Sequence, residues 1–284
     1  MIQEAETVTA RDEVEERLLL DPKTAVPRII DFIRTTFSSS GCSGIVVGLS
    51  GGIDSALTAT LCVKAVGPAK VTGVFMFEER MRNGVDARHA REIADNLRIR
   101  TVDLTLDPLI KRFSDTFPVK VEDQVAKGNL KARMRMMSLY YLANAQNLLV
   151  AGTGDRSEDL IGYFTKYGDG GVDFLPIAHL YKSQVRSLAK YVGISPEIVE
   201  KPSSPNLWEG HKATDEIPLD YSELDQALIC LFDLKMAPED VSKRLGISDE
   251  KVRDILSRFR NSAHKRSYPA MIGSWLLETS LQTA

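Results

Sequence analysis

A glycine- and serine-rich octapeptide is the first stretch of the sequence that could do chemistry. It reads GLSGGIDS and follows a short apolar run. Two adjacent glycines leave backbone N–H groups free to wrap an oxyanion, and a helix that begins here adds the positive end of its dipole. The two serines supply hydroxyl donors. The pattern predicts a phosphate-binding loop made of Gly48, Leu49, Ser50, Gly51, Gly52, Ile53, Asp54 and Ser55.

The same octapeptide also suits a simple turn between a strand and a helix, with Asp54 or Ser55 as the helix N-cap. No Gly-Lys-Ser/Thr follows, so the loop lacks the lysine that binds the β- and γ-phosphates in P-loop NTPases, and that class is disfavoured. A second glycine-rich run extends from Gly152 to Asp173 and contains Lys166. So many bare backbone positions indicate a loop pressed against a ligand, the alternative being a flexible surface loop.

Both runs resemble known sequences. Ser-Gly-Gly-x-Asp-Ser after a first strand resembles the phosphate loop of the N-type ATP pyrophosphatases, and the run GYFTKYGDGGVD ending at Asp173 resembles the signature of the NAD synthetases among them. The resemblance extends from about Pro27 to about Pro269. Further matches are Lys131-Ala-Arg133, Leu180-Tyr-Lys182, Leu207-Trp208-Glu209 and His264-Lys265.

The resemblance implies roles for individual residues. Asp54 and Lys182 are the implied catalytic residues, and Asp54 with Glu158 would hold Mg²⁺ on the ATP phosphates. Besides the loop, the implied ATP-binding residues are Thr153, Lys182 and Ser204, the last standing where the family commonly has Thr. The implied ligands of deamido-NAD⁺ are Arg133, Lys166, Asp173, His264 and Lys265.

The resemblance also implies a reaction, the last step of NAD⁺ biosynthesis by a ligase that forms a C–N bond. The nicotinate carboxylate of deamido-NAD⁺ is adenylated by ATP with release of pyrophosphate, and ammonia then displaces AMP. Glutamine-dependent relatives carry a further amidase domain of several hundred residues, for which 284 residues leave no room. Free ammonia is therefore the expected donor. The resemblance further implies a homodimer with the dinucleotide site at the subunit interface.

Apolar runs alternate with helical patterns along the chain. Strands are predicted near residues 45–49, 71–77, 101–104 and 148–151, and helices over 56–66, 85–97, 130–145 and 183–192. This alternation predicts an α/β fold with a doubly wound, mainly parallel sheet covered by helices on both faces, and ligands at the carboxyl ends of the strands. By resemblance it is the Rossmann-like adenine nucleotide alpha hydrolase type. We expect one domain over residues 1–284, with N-terminal helices in 11–37, a nucleotide-binding core in 44–200 and a helical part in 219–284.

Composition limits the partners. Lys and Arg number 36 against 39 for Asp and Glu, so the chain has a formal charge of −3 and offers no overall basic field for nucleic acid. The cysteines number 3 and form no CxxC, which fits a reducing cytoplasm. The polar, acidic start lacks the features of a signal peptide, and no apolar run approaches the length of a membrane span. We expect a cytoplasmic protein without nucleic-acid or membrane partners.

One segment favours a different class of protein. Residues 237–260 have the pattern helix, glycine turn, helix, with basic residues on the second helix, and this resembles a DNA-binding helix-turn-helix. Asp249, Glu250 and Asp254 on the second helix and the acidic chain weigh against DNA binding. We therefore expect a helical hairpin that brings His264 and Lys265 to the active site. A tRNA-modifying ligase would need a basic RNA-binding face, which the charge balance does not favour.

Overall fold

The central sheet has four parallel strands. A computed structural model of the protein describes residues 13–204, 207–208, 216–269 and 271. The strands are β1 Gly44–Gly48, β2 Val71–Phe77, β3 Arg100–Thr105 and β4 Leu148–Ala151, in the spatial order β3-β2-β1-β4. All neighbouring strands pair in parallel. The predicted parallel α/β sheet is confirmed, and its strands lie within one residue of the predicted positions.

Helices connect and flank the strands. They are α1 Pro22–Ser40, α2 Ile53–Val66, α3 Val85–Leu97, α4 Asp107–Thr116, α5 Gln124–Gln146, α6 Arg156–Ile161, α7 Lys182–Tyr191, α8 Pro196–Val199, α9 Tyr221–Leu228, α10 Pro238–Leu245 and α11 Asp249–Asn261. Residues 13–18 are also helical. A π-helical turn, Ile229–Asp233, extends α9, and 3₁₀ turns lie at Pro68–Lys70, Glu79–Met81 and Ala263–Lys265. No helix in the described part of the chain is long and apolar enough to cross a membrane.

The sheet is buried on both faces. Ile45 and Val46 are fully buried neighbours on β1, yet they belong to different apolar clusters because successive strand residues point to opposite faces. Ile45 packs in the cluster that contains residues of α1, α2 and α7, and Val46 packs in the cluster that contains residues of α5. At Gly73 of β2 a Cβ would lie 2.6 Å from the side chain of Leu49, so this strand position has room only for hydrogen.

A third apolar cluster joins the C-terminal helices to the rest of the chain. It contains Leu224 of α9 and Val252 of α11 together with Ile161 of α6 and Tyr181 just before α7. The segment over 237–260 forms the expected helical hairpin, α10 and α11, whose inner faces are buried in this cluster. The C-terminal helices therefore pack directly against α6, which lies within the glycine-rich run, and against the residue that precedes α7.

Several boundaries differ from the predicted ones. Helix α5 begins at Gln124 rather than near 130, because the carboxylate of Asp123 accepts a hydrogen bond from Ala126 N at 2.6 Å and caps it. Helix α1 continues through Pro27 to Ser40. Helices α4, α6 and α8 were not predicted, whereas α9 lies in the predicted helical part. Glu209 and both ends of the expected domain, residues 1–12 and 272–284, lie outside the described residues.

Candidate active site

The predicted phosphate loop connects the end of β1 to the start of α2. Gly51 has φ +77°, and a Cβ there would lie 2.0 Å from the carbonyl oxygen of Asp86, so only glycine fits. Ser50 Oγ accepts a hydrogen bond from Gly52 N at 3.2 Å, and Ser55 Oγ donates to Gly52 O at 3.0 Å. No side chain caps α2, so its first N–H groups are available to an anion.

A cavity of about 520 Å³ opens over this loop, at the carboxyl ends of the strands. Every loop residue except Gly51 lines it, and Thr153, Glu158, Ser204 and Lys265 line it from other parts of the chain. The cavity therefore joins the loop to four further residues that the resemblance implied. It is large enough for a nucleotide, since small-molecule sites commonly enclose about 300–1,000 Å³.

The most unusual feature of the cavity wall is a buried lysine among three carboxylates. Lys182 is completely buried, and its Nζ lies 2.9 Å from Asp54 Oδ1 and 2.9 Å from Glu158 Oε1. It also forms an ion pair of 2.6 Å with Asp155, which is itself completely buried. Asp54, Glu158 and Tyr221 line the cavity while Lys182 does not, so the lysine acts on the cavity through the side chains that it contacts.

The surroundings of this cluster shift the pKa of each of its buried members. Burial and the neighbouring Asp155 raise the pKa of Glu158 to about 8, although Lys182 opposes the shift. Burial likewise raises the pKa of Asp155 to about 6. Burial disfavours the charged form of Lys182, but the three carboxylates outweigh it and raise the pKa of the lysine well above its usual value. Lys182 therefore stays positively charged, and Asp155 and Glu158 readily bind one proton between them.

A second set of buried groups fixes the backbone of Lys182. Lys182 N donates to Ser157 Oγ at 3.0 Å, and Ser157 Oγ donates to Asp225 Oδ1 at 2.5 Å. The other oxygen of Asp225 accepts hydrogen bonds from Ser183 N at 2.8 Å and Ser183 Oγ at 2.6 Å. Asp225 belongs to α9. This C-terminal helix therefore connects Ser183, in the first turn of α7, to Ser157, which precedes Glu158.

Most of the implied dinucleotide ligands lie elsewhere. Arg133 is exposed and donates to Lys166 O at 3.2 and 3.3 Å, and Lys166 Nζ in turn donates to His264 O. These three residues form a connected surface patch, which we call the basic patch. Asp173 is part of the framework, since it accepts hydrogen bonds from Tyr140 OH and Val150 N. Neither the basic patch nor Asp173 lines the cavity.

Lys265 is the exception among these ligands. It lines the cavity, and its Nζ donates to the carbonyl oxygens of Gly162 and Phe164 at 2.7 Å each. Burial lowers its pKa from the usual value. The 3₁₀ turn after α11 thus places Lys265 at the cavity, while the backbone carbonyl of His264, which accepts a hydrogen bond from Lys166, lies at the surface. The expectation was that the hairpin brings His264 and Lys265 to the active site; Lys265 lines the cavity, whereas His264 does not.

Sequence reasoning missed several polar groups at the site. They are Asp155, which pairs with Lys182, and the cavity-lining residues Arg135, Tyr163, Asp169, Lys201 and Tyr221. Asp155, Tyr163 and Asp169 lie inside the glycine-rich run, so the run itself was the signal. Lys201 and Tyr221 lie in segments without a motif, and only the folded chain brings them to the cavity.

Comparison with known proteins identifies the family. The sequence profile of the NAD synthase family matches residues 25–269. The chain is 47% identical over 256 residues to the NH(3)-dependent NAD(+) synthetase of Hyperthermus butylicus, covering 90% of this chain and 92% of that protein. The chain belongs to the NAD synthase family. The resemblance inferred from the sequence motifs is thereby confirmed, as is the predicted ligase class.

Solved structures agree with this membership. The chain is similar to the NH3-dependent NAD synthetase from Campylobacter jejuni, with a TM-score of 0.76, 28% identity, and coverage of 90% of this chain and 100% of that one. It is also similar to the NMN synthetase from Francisella tularensis, with a TM-score of 0.77, 32% identity and the same coverages. These neighbours confirm the fold type predicted for an NAD synthase.

Proposed function

We propose that the cavity carries out ammonia-dependent synthesis of NAD⁺ from deamido-NAD⁺ and ATP, with AMP and pyrophosphate as the other products. The observation that carries this proposal is the lysine and its carboxylates at the end of a phosphate-binding loop. The curated relatives at 43–47% identity are named as NH(3)-dependent NAD(+) synthetases, which supports the choice of substrate and of nitrogen donor.

In the first step the nicotinate carboxylate attacks the α-phosphate of ATP and pyrophosphate leaves. The N–H groups at the start of α2 and the hydroxyls of Ser50 and Ser55 bind the departing phosphates, with Thr153 and Ser204 on the cavity wall as further ATP ligands. Lys182, which pairs with Asp54 and Glu158, stabilises the negative charge that develops on the phosphates. Adenylation turns the carboxylate oxygen into a leaving group, and ammonia then displaces AMP.

Asp54 and Glu158 suit the Mg²⁺ that such a reaction uses. Their oxygens each lie 2.9 Å from the same nitrogen, so both can reach one small cation, and both side chains face the cavity. Mg²⁺ prefers hard oxygen ligands and is commonly held by one or two carboxylates together with phosphates and water. When bound, the ion would neutralise phosphate charge. Asp155 would remain as the counter-ion of Lys182.

We assign deamido-NAD⁺ to Arg133, Lys166, Asp173, His264 and Lys265. Because Arg and Lys bind anionic groups well, the basic patch suits the dinucleotide phosphates. Arg133, Met137 and Tyr141 are spaced by four residues on α5 and therefore share one helix face, on which Tyr141 is 81% exposed. The basic patch is thus continuous with exposed apolar surface.

That surface supports the homodimer implied by the sequence resemblance. Large apolar side chains are exposed on α4, on α5 and on the segment between them, namely Leu109, Phe113, Phe117, Val119, Val121, Val125, Met137 and Tyr141. Large exposed apolar side chains on neighbouring elements indicate an interaction site, and the place of Met137 and Tyr141 on the same helix face as Arg133 favours a second copy of this chain as the occupant. In sedimentation, Phe113→Asp should shift the dimer toward monomer. A fully active monomer would disprove the shared dinucleotide site.

We also propose that residues 1–284 form one synthetase domain in the cytoplasm. Tyr221 and Lys265, from the C-terminal helical part, line the same cavity as the phosphate loop, which supports a single unit. The three cysteines are free thiols, which suits a reducing compartment.

A product assay tests the proposed reaction. The protein is incubated with Mg²⁺, ATP and deamido-NAD⁺, with either ammonium or glutamine, and NAD⁺, AMP and pyrophosphate are quantified. Ammonium should give equal amounts of the three products. Nicotinate mononucleotide serves as the competing acceptor, because one structural neighbour is named as an NMN synthetase. Preference for the mononucleotide, or NAD⁺ formed with glutamine alone, would overturn the proposal.

A further inference from the structure

Lys201 lies against the outside of the phosphate loop. It follows α8, and its Nζ donates to the carbonyl oxygen of Gly51 at 2.6 Å. The same nitrogen bonds Asp86 Oδ1 and lies 3.4 Å from His89 Nδ1. Asp86 and His89 are three residues apart on α3 and therefore share one helix face. Three groups from two parts of the chain thus surround this one amine.

These contacts occupy the donors of Lys201. An ammonium group has three N–H bonds and accepts none, and its acceptors here are Gly51 O, Asp86 and His89. A phosphate could gain a bond from Lys201 only if one of these were lost. Although Lys201 lines the cavity, its contacts therefore indicate an action through the loop rather than direct binding.

The contact with Gly51 controls the orientation of one peptide plane. The carbonyl of Gly51 and the N–H of Gly52 belong to the same planar peptide, so fixing one fixes the other. Gly52 N donates to Ser50 Oγ at 3.2 Å, and Ser50 is one of the hydroxyls assigned to the phosphates. Gly51 itself has φ +77°, and because it lacks a Cβ its backbone could adopt many other conformations. The loop therefore needs an external contact to hold this peptide.

His89 in turn holds Lys201. The imidazole is 2% exposed, and its second nitrogen, Nε2, lies 3.4 Å from Glu197 Oε2 of α8. Because an ammonium can only donate, Nδ1 is the acceptor and Nε2 carries the proton toward Glu197. The buried ring of His89 thus links Glu197 of α8 to the Lys201 amine, which donates a hydrogen bond to the carbonyl of Gly51.

We propose that Lys201, held by Asp86 and His89, is a positioning residue that orients the Gly51–Gly52 peptide of the phosphate loop for binding the phosphates of ATP. The inference rests on the proposed function, because the phosphates are taken to be those of ATP. In P-loop NTPases a lysine of the loop binds the phosphates directly. Here Lys201, from another part of the chain, orients the loop backbone instead.

Lys201→Met tests the inference by removing the three donors at similar length. We expect the KM for ATP to rise about tenfold or more while the KM for deamido-NAD⁺ stays within about twofold. The dissociation constant of α,β-methylene-ATP, which the enzyme cannot cleave, should rise in parallel. Lys201→Arg should recover much of the affinity, since it keeps the charge and donors. His89→Leu should give a smaller loss, about threefold, and His89→Gln should restore an acceptor.

Arg88→Ala is the matched control, because Arg88 pairs with the same Glu197 but is exposed and does not contact Lys201. It should leave both KM values unchanged. Unaltered ATP affinity in Lys201→Met would overturn the inference, and so would equal losses for both substrates. If Lys201→Met does not fold, His89→Leu decides by the same criterion. Analogue binding needs no turnover, so a wild type that binds it but makes no NAD⁺ would refute the proposed reaction while still testing Lys201.

Discussion

The lysine cluster and the basic patch differ in how far one chain completes them. Lys182 and Asp155 have no exposed surface, and their charges are matched by groups fixed in the fold. Arg133 and Lys166 are at the surface, and in the described structure they bond to backbone carbonyls rather than to carboxylates. Charge stabilisation during adenylation requires groups that are already oriented in a dry site, whereas groups that recognise a large anion can be oriented when the substrate binds.

The difference predicts two kinds of variant. Changes in the lysine cluster should lower kcat, and loss of a completely buried member, Lys182 or Asp155, should also lower stability because the two are paired. Changes in the basic patch should raise one KM and leave the fold intact. The following variants test this distinction, beginning with the largest expected effect.

Lys182→Met removes the cation that pairs with Asp54, Asp155 and Glu158. We expect NAD⁺ formation to fall by roughly 10³-fold, because charge at the α-phosphate is no longer stabilised. Removing one partner of a buried pair commonly costs about 3–5 kcal/mol, so the free energy of unfolding should also fall. Rate assays and urea unfolding measure the two effects. A variant with near-normal kcat would place the catalytic charge elsewhere.

Asp54→Asn should separate activity from stability within the same cluster. The change removes an implied Mg²⁺ ligand but keeps the size of the side chain, which is only partly buried. We expect kcat to fall by about 100-fold at saturating Mg²⁺, with no loss in the free energy of unfolding since one of three mutually repelling carboxylates is gone. Turnover equal to wild type would remove Asp54 from the metal site.

Arg133→Ala tests the basic patch. The KM for deamido-NAD⁺ should rise about tenfold, because an exposed charge-assisted contact is lost, while kcat and the KM for ATP stay within about twofold. Lys127→Ala is the matched control, since Lys127 is on the same helix, exposed and paired with Glu122. Should Arg133→Ala lower kcat instead, the contrast between the two regions would fail.

The smallest predicted effect concerns pH. Burial raises the pKa of Glu158 to about 8, so at pH 7 a proton competes with Mg²⁺ for this carboxylate. As pH rises from 6.5 toward 8.5 the proton leaves, and the apparent affinity for Mg²⁺ should increase by about fivefold per unit. Glu158→Gln should flatten the dependence. The KM for deamido-NAD⁺, governed by the basic patch, should not follow this trend. A Mg²⁺ affinity that falls with pH would contradict the assignment of Glu158.

The family resemblance pointed to residues that meet at the cavity because parallel strands bring their carboxyl ends together. Asp54 and Lys182 are separated by 128 positions, yet each lies next to a predicted strand end or helix start, and they meet at 2.9 Å. The role of Asp155 could not be predicted in the same way. A single acid before a helix is an ordinary N-cap, and Asp155 does accept a hydrogen bond from Glu158 N. Its second contact, with Lys182, depends on the packing of α7.

The missed structure has similar tertiary causes. The start of α5 contains Gly128, which disfavours a helix, but a Cβ there would lie 3.2 Å from Leu207 and from Trp208, so the glycine permits close packing. Helix α6 has only six residues, too few for a helical period, and is fixed by contacts with the C-terminal helices. The basic patch carries charges whose types suit an anion, but Arg133 and Lys166 bond backbone carbonyls that are distant in sequence, so no local pattern predicts their orientation.

The hydrogen bonds of Asp225 have a consequence for the order in which the enzyme assembles. During synthesis the phosphate loop, Glu158 and Lys182 all precede α9. Until α9 packs against the first turn of α7, Ser157 and Ser183 lack the carboxylate that fixes the lysine backbone. The proposed nucleotide site is thus completed by a segment that is synthesised after the phosphate loop, Glu158 and Lys182, and a nascent chain that stops before α9 holds Lys182 without the carboxylate that aligns it.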